Sequence, residues 1–160
     1  MLLMTVEIER KFLVTSNDFK KEATVSYKIK QGFLNSHKER TVRVRLKNGK
    51  GYLTVKGKSS EDGLVRFEWE KEISSQDAEQ LFGLCEKGTL DKMRYEVNFG
   101  KHTFEIDEFF GDNEGLVIAE VELQSKNEHF EKPEWLGKEV TGDVKYYNSQ
   151  LSKQPYKTWD

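Results

Sequence analysis

With 160 residues the chain suits one domain, 1–160, long enough to bury a sizeable core. Its 26 Lys and Arg against 28 Asp and Glu leave a formal net charge of −2, which argues against a general nucleic-acid binder. One cysteine, Cys85, excludes internal disulfides and thiolate metal clusters and suits a reducing, cytoplasmic setting.

The opening Met1-Leu2-Leu3-Met4 is too short for a signal-peptide core, and no apolar run reaches membrane-spanning length. Eight segments then carry strand patterns, at about 5–14, 26–34, 40–48, 51–58, 64–73, 89–99, 101–110 and 115–124. Asn48-Gly49 is a strong hairpin signal, and Asp62-Gly63, Gly100-Lys101 and Asn113 to Gly115 also fit turns. These short connections predict antiparallel pairing, in a meander that closes on itself. Helices are few. A short one follows Ser16, and Ser75 caps another running to about Lys87, with Ala78, Leu81, Phe82 and Cys85 on one stripe and Gly88 as its stop. Asp143 caps a last one carrying Val144, Tyr147 and Leu151. The class is α+β.

Side chains two apart in a strand share a face. The first strand therefore presents Glu7, Glu9 and Lys11 together, between apolar Val6, Ile8 and Phe12. The third presents Arg43 and Arg45, the fourth Lys56, and the fifth Arg66, Glu68 and Glu70. The sixth presents Lys92 and Arg94, the seventh Glu105 and Asp107, and the eighth Glu120 and Glu122. A half-solvated sheet, apolar inside and charged outside, is the plain reading of such alternation. Two details speak against it. The charged positions favour Glu and Arg over Thr, Ser, Gln and Asn, and the signs are grouped by strand.

Grouped cations suit a substrate with several negative charges. Arg makes two charge-assisted hydrogen bonds to phosphate oxygens, and Lys acts as a point charge. Clustered carboxylates supply hard oxygen ligands for Mg²⁺ or Mn²⁺, whereas zinc lacks a thiolate set or a close His pair.

The ordered set resembles the CYTH superfamily, the triphosphate tunnel metalloenzymes. It opens on Glu7-x-Glu9-x-Lys11 and runs through Arg43-x-Arg45, Lys56, Arg66-x-Glu68-x-Glu70, Lys92-x-Arg94, Glu105-x-Asp107 and Glu120-x-Glu122. It ends on Val140-Thr141-x-Asp143 and Tyr147-Asn148, and so covers nearly the whole chain. The resemblance implies an eight-stranded closed antiparallel β-barrel, a tunnel with a charged interior and a few covering helices. It implies a triphosphate-bearing small molecule as substrate and two divalent ions, Mg²⁺ or Mn²⁺. Lys11, Arg43, Arg45, Lys56, Lys92 and Arg94 look like phosphate binders, with Arg66 as a helper. Glu7, Glu9, Glu120 and Glu122 look like metal ligands, and Glu68 and Glu70, with Lys11, like groups that serve catalysis. Glu105 and Asp107 fit the site or simple pairing with Arg and Lys neighbours. A homodimer stays open.

Glu-Ile-Glu-Arg-Lys-Phe-Leu-Val resembles the short bacterial inorganic triphosphatases. Their next landmark is Gln-Gly-Tyr-Leu, here Gln31-Gly32-Phe33-Leu34, so the lysine–tyrosine partnership described for relatives has no hydroxyl at Phe33. Tyr27 shares that strand face but stands about 20 Å away. A divalent ion that lowers the pKa of bound water, with a carboxylate as proton acceptor, remains a route. Hydrolysis of inorganic tripolyphosphate comes first among the implied activities. Nucleoside or thiamine triphosphate hydrolysis, cyclisation of ATP as in class IV adenylate cyclases, and a non-catalytic polyphosphate- or nucleotide-binding module stand as alternatives.

His37, His102 and His129 read as surface residues, and Trp69 and Trp159 as packing. Trp135 is expected to anchor the Pro133–Gly137 segment against the barrel exterior, and Cys85 to be inert on its helix stripe. Tyr146 and Tyr147 fit either core packing or a tunnel-facing position.

Overall fold

Alternation of charged and apolar residues decides which way each strand faces, and all eight predicted strands form. A computed structural model describes residues 6–159; the Met1–Met4 opening lies outside them. The strands are β1 (Val6–Val14), β2 (Val25–Asn35), β3 (Arg40–Lys47), β4 (Lys50–Ser59), β5 (Val65–Ile73), β6 (Leu90–Phe99), β7 (His102–Phe109) and β8 (Val117–Glu122), with a short β9 (Leu136–Glu139). All pairings are antiparallel, in the order β5-β4-β3-β2-β6-β7-β8-β1, and β1 pairs back onto β5 to close an eight-stranded barrel. The closing ladder is short: Val6 opposite Phe67, Glu7 opposite Arg66 and Ile8 opposite Val65.

The order departs from a simple meander. β1 does not neighbour β2, nor β5 β6, and each of these connections carries a helix, α1 (Phe19–Glu22) or α2 (Ser75–Phe82). Phe19 explains the first detour: it is sealed from solvent and packs edge-on against Tyr95 and Trp135. α2 is capped by Ser74 rather than Ser75, its hydroxyl accepting from the Asp77 amide, and ends at Gly83 rather than near Gly88. Beyond Phe82 the chain is drawn onto β2, where the Glu86 amide donates to the Phe33 carbonyl and its carboxylate accepts from Ser36. Cys85 lies half-buried there. The β3–β4 hairpin turns on Asn48 and Gly49, with φ of 52° and 74°, the left-handed pair that a two-residue turn needs.

β9 was not expected from the sequence. It covers the half of β1 that β5 leaves open, Phe12 facing Glu139 and Val14 facing Leu136, so the strand edge is not left bare. Trp135 anchors this segment as expected: it is 2% exposed, packs edge-on against Phe19 and Phe104, and its indole donates to Glu22. Trp159 packs edge-on against Tyr146 and Tyr156. Trp69, by contrast, is 43% exposed, because it lies on the outward face of β5 where no helix covers it. The predicted C-terminal helix is broken into a 3-10 turn, Val144–Tyr146, and a four-residue helix α3, Asn148–Leu151.

Two apolar clusters divide the molecule. The outer one joins Phe12, Phe19, Val97, Phe104, Ile106, Val121 and Trp135, on the barrel's outside. The other includes Phe33, Leu90, Phe109 and Ile118, which share inward faces with Gln31, Lys92, Asp107 and Glu120; Tyr146 and Leu151 from the C-terminal segment join them. The barrel interior is therefore filled with apolar side chains at one end and charged over the rest.

Candidate active site

Two cavities meet inside the barrel. One, about 790 Å³ including open solvent, lies at the C-terminal segment's end and is lined by Lys11, Phe33, Arg66, Lys92, Tyr147 and Asn148 among others. The second, about 640 Å³, opens between Lys47, Glu68, Glu70, Glu105 and Glu122. Both are bounded by Glu7, Glu9, Arg43, Arg45, Lys56, Arg94 and Glu120, so a single tunnel runs between them.

Each interior cation has a fixed partner. Asp107 accepts two bonds from Arg94, 2.8 Å to Nε and 2.9 Å to Nη2, and also takes Lys92 Nζ at 2.8 Å. Arg94 Nη1 reaches Glu105 at 3.1 Å. Arg45 donates from Nε and Nη2 to the Gln31 side-chain oxygen, at 3.2 and 2.9 Å. Arg43 donates to Thr54 at 3.2 Å and lies 3.6 Å from Glu70, which itself accepts from Thr54. Its Nε is buried with no hydrogen-bond partner, a donor available to a ligand. Lys56 sits 2.9 Å from Glu7 and 3.6 Å from Glu68, and Lys11 3.7 Å from Glu120. Arg66 lines the tunnel but spends its donors on the Gly57 and Lys38 carbonyls and the Thr41 hydroxyl.

Crowding of like charge tunes these groups. Burial lowers the Arg45 pKa to about 9, with Arg43 and Arg94 adding to the effect. Burial likewise brings Lys92 down to about 7 despite Asp107, while Asp107 is held far below the carboxylate range by Arg94 and Lys92 against its own burial. Glu9 is raised well above its ordinary value, first by burial and then by Glu120 and Glu7. Glu68 rises to about 7 through burial and its nearness to Glu7, and Glu122 rises for similar causes.

That carboxylate repulsion is what a divalent cation relieves, so the donor set fits a hard metal. Among the described residues no three His, Cys, Asp or Glu side chains form a ready-made metal cage. Mg²⁺ does not require one, since it is commonly held by one or two carboxylates, water and substrate phosphate oxygens.

Every residue that the sequence pattern selected lines the tunnel or its rim except Asp107, which is buried behind Lys92 and Arg94. Glu68, Glu70, Glu105 and Glu122 ring the second opening, and Asp107 lies deep between Lys92 and Arg94. Tyr146 belongs to the apolar end, whereas Tyr147 faces the tunnel: its ring lies 5.2 Å from Lys11 Nζ and 5.5 Å from the Arg66 guanidinium, and its hydroxyl bonds Ser59 at 3.1 Å. Gln31, Thr54 and Asn148 hold cations here, and charge alternation alone did not select them. The expected surface character of His102 and His37 holds in part: His102 pairs with Glu128 on the rim, and His37 Nδ1 accepts from the Glu39 amide.

A closed antiparallel barrel lined by paired Arg, Lys and Glu defines the class of tunnel enzymes that grip polyanions. The chain belongs to the CYTH domain family, whose model matches residues 5–154. It is 49% identical over 158 residues to an inorganic triphosphatase of Acetivibrio thermocellus, covering 98% of this chain and 99% of that protein. It is also 34% identical over 150 residues to an inorganic triphosphatase of Nitrosomonas europaea, covering 91% and 96%. A crystal structure of an inorganic triphosphatase superposes with a TM-score of 0.64 at 31% identity, covering 91% of this chain and 97% of that one.

Proposed function

We propose that the chain hydrolyses inorganic tripolyphosphate inside its tunnel with the help of divalent metal. The observation that carries this is the interior itself. Six cations, Lys11, Arg43, Arg45, Lys56, Lys92 and Arg94, bound one continuous space beside the carboxylates Glu7, Glu9 and Glu120. These cations outnumber the carboxylates that bound the same space, so part of the interior positive charge is left for an anionic ligand to balance. Tripolyphosphate matches the cations in sign and multiplicity, and the named activities of the two relatives at 49% and 34% identity agree with it.

Arg43, Arg45 and Arg94 grip phosphate oxygens through their planar forks, while Lys11, Lys56 and Lys92 add point charges. Glu7, Glu9, Glu120 and Glu122 would hold the metal, Mg²⁺ or Mn²⁺, which would supply charge compensation for the phosphoryl group and a more acidic water. Glu68 and Glu70 fix Lys56 and Arg43 at the rim, and Glu68, whose pKa is raised by burial and Glu7, is suited to accept a proton. Positioning and electrostatics carry most of the rate, as in phosphoryl transfer generally. Orthophosphate release from tripolyphosphate that stops in EDTA and returns with Mg²⁺ or Mn²⁺ tests this reading. Cyclic AMP formed from ATP as the main product would replace it with the cyclase alternative.

A further inference from the structure

Resting on that reading, we propose that Asn148 contacts the substrate, its side-chain NH₂ donating to a phosphate oxygen, and that Gln31 is the positioning residue that aims it. The polarity of a buried amide chain fixes the assignment. Arg45 is donor-only, so the Gln31 oxygen must face it, where it takes two bonds at 3.2 and 2.9 Å. The Gln31 NH₂ is thereby turned toward Asn148, donating to Oδ1 at 3.0 Å. Lys92 Nζ, which also lies 2.8 Å from Asp107, donates to the same Oδ1 at 3.0 Å.

Asn148 Oδ1 is therefore doubly occupied and cannot exchange places with Nδ2. Flipping the amide would set Nδ2 against the Gln31 NH₂, donor against donor. Nδ2 makes no hydrogen bond among the described residues, and Asn148 lines the tunnel beside Lys11, Arg45, Lys92 and Arg94. Gln31 is fully buried and Lys92 is 1% exposed, so neither has room to turn away. The result is one neutral donor set among charged ones, carried by the C-terminal segment and locked by a residue 117 positions earlier.

Asn148→Asp separates this role from a structural one. An aspartate would still accept from Lys92 and Gln31, and its charge would strengthen the Lys92 contact; a purely structural Asn148 therefore tolerates the change. A substrate-donating Asn148 does not, because the new carboxylate oxygen faces the phosphate. The measurement is calorimetric binding of tripolyphosphate in metal-free buffer, with melting temperature and kcat/KM beside it. We expect Asn148→Asp to weaken binding at least 100-fold with melting temperature unchanged or raised. Asn148→Ala should weaken it roughly tenfold, the loss of one hydrogen bond to a charged group. Gln31→Glu, which keeps an acceptor for Arg45 but loses the donor to Asn148, should raise KM more than it lowers kcat. Wild-type binding retained by Asn148→Asp would overturn the inference while leaving the proposed function standing. Failure of the wild-type chain to bind tripolyphosphate would instead remove the proposed function on which it rests.

Discussion

Lys92 Nζ lies 2.8 Å from Asp107 Oδ2, and the two side chains are only 1% and 4% exposed. Asp107 simultaneously takes both forks of Arg94, so one buried carboxylate anchors two of the tunnel's cations. Removing the charge strips both cations of their shared counter-ion, leaving Arg94 with Glu105 and Lys92 with the Asn148 oxygen, a loss of about 3–5 kcal/mol for a broken buried pair. Asp107→Asn should lower the melting temperature of the free protein by roughly 10 °C. Added tripolyphosphate should restore most of that loss, because its oxygens replace the missing anion. A variant equally unstable with and without tripolyphosphate would contradict this.

The same pair sets a pH dependence. The Lys92 pKa stands at about 7 in the fold, lowered chiefly by burial, against about 10.4 for an unfolded lysine. Between those values the unfolded chain binds more protons, so this group's penalty on the free fold shrinks as pH rises. Bound triphosphate restores the ammonium, so binding at pH 8 should take up close to one proton, and affinity should fall as pH rises above 7. Calorimetry in two buffers of different ionisation enthalpy reads the proton directly. Equal heats in both would contradict this net uptake.

Glu9 gives a trade between stability and activity. Its carboxyl is pushed up by burial, Glu120 and Glu7, so as an anion it strains the free fold. Glu9→Gln should melt no lower than wild type, and up to a few degrees higher near pH 8, while turnover falls at least 100-fold. Glu122→Gln should likewise cut turnover by orders of magnitude with circular dichroism unchanged. Full activity in either variant would remove that residue from the metal site.

Phe33 stands at the tunnel wall and is 3% exposed. Lys11 is held there by Glu120 and the Tyr146 carbonyl, and the Tyr147 ring covers it. Phe33→Tyr should therefore change kcat by less than about threefold. A gain of tenfold or more would show that the chain lacks a hydroxyl its chemistry can use.

Charge alternation made the barrel wall and its cations legible, because a period of two assigns Glu7, Glu9 and Lys11, or Lys92 and Arg94, to one face without knowledge of neighbours. It could not reveal the strand order, since α1 and α2 move β2 and β6 to new neighbours through contacts such as Phe19 on Trp135. β9 was illegible because four residues carry too little pattern, and its pairing depends on the edge that β5 leaves open. Gln31 and Asn148 were met only as motif positions, without a role, for a different reason. Neutral amides do not stand out among charged residues, and their role exists only once 117 positions of chain are folded together.

In the proposed function the tunnel interior recognises the bare triphosphate chain. The most direct test is kcat/KM for tripolyphosphate and for ATP, measured side by side with Mg²⁺ and then Mn²⁺. The tunnel chemistry predicts metal-dependent release of orthophosphate from tripolyphosphate with kcat/KM at least tenfold above that for ATP. Equal or faster turnover of ATP, or release that persists in EDTA, would contradict it.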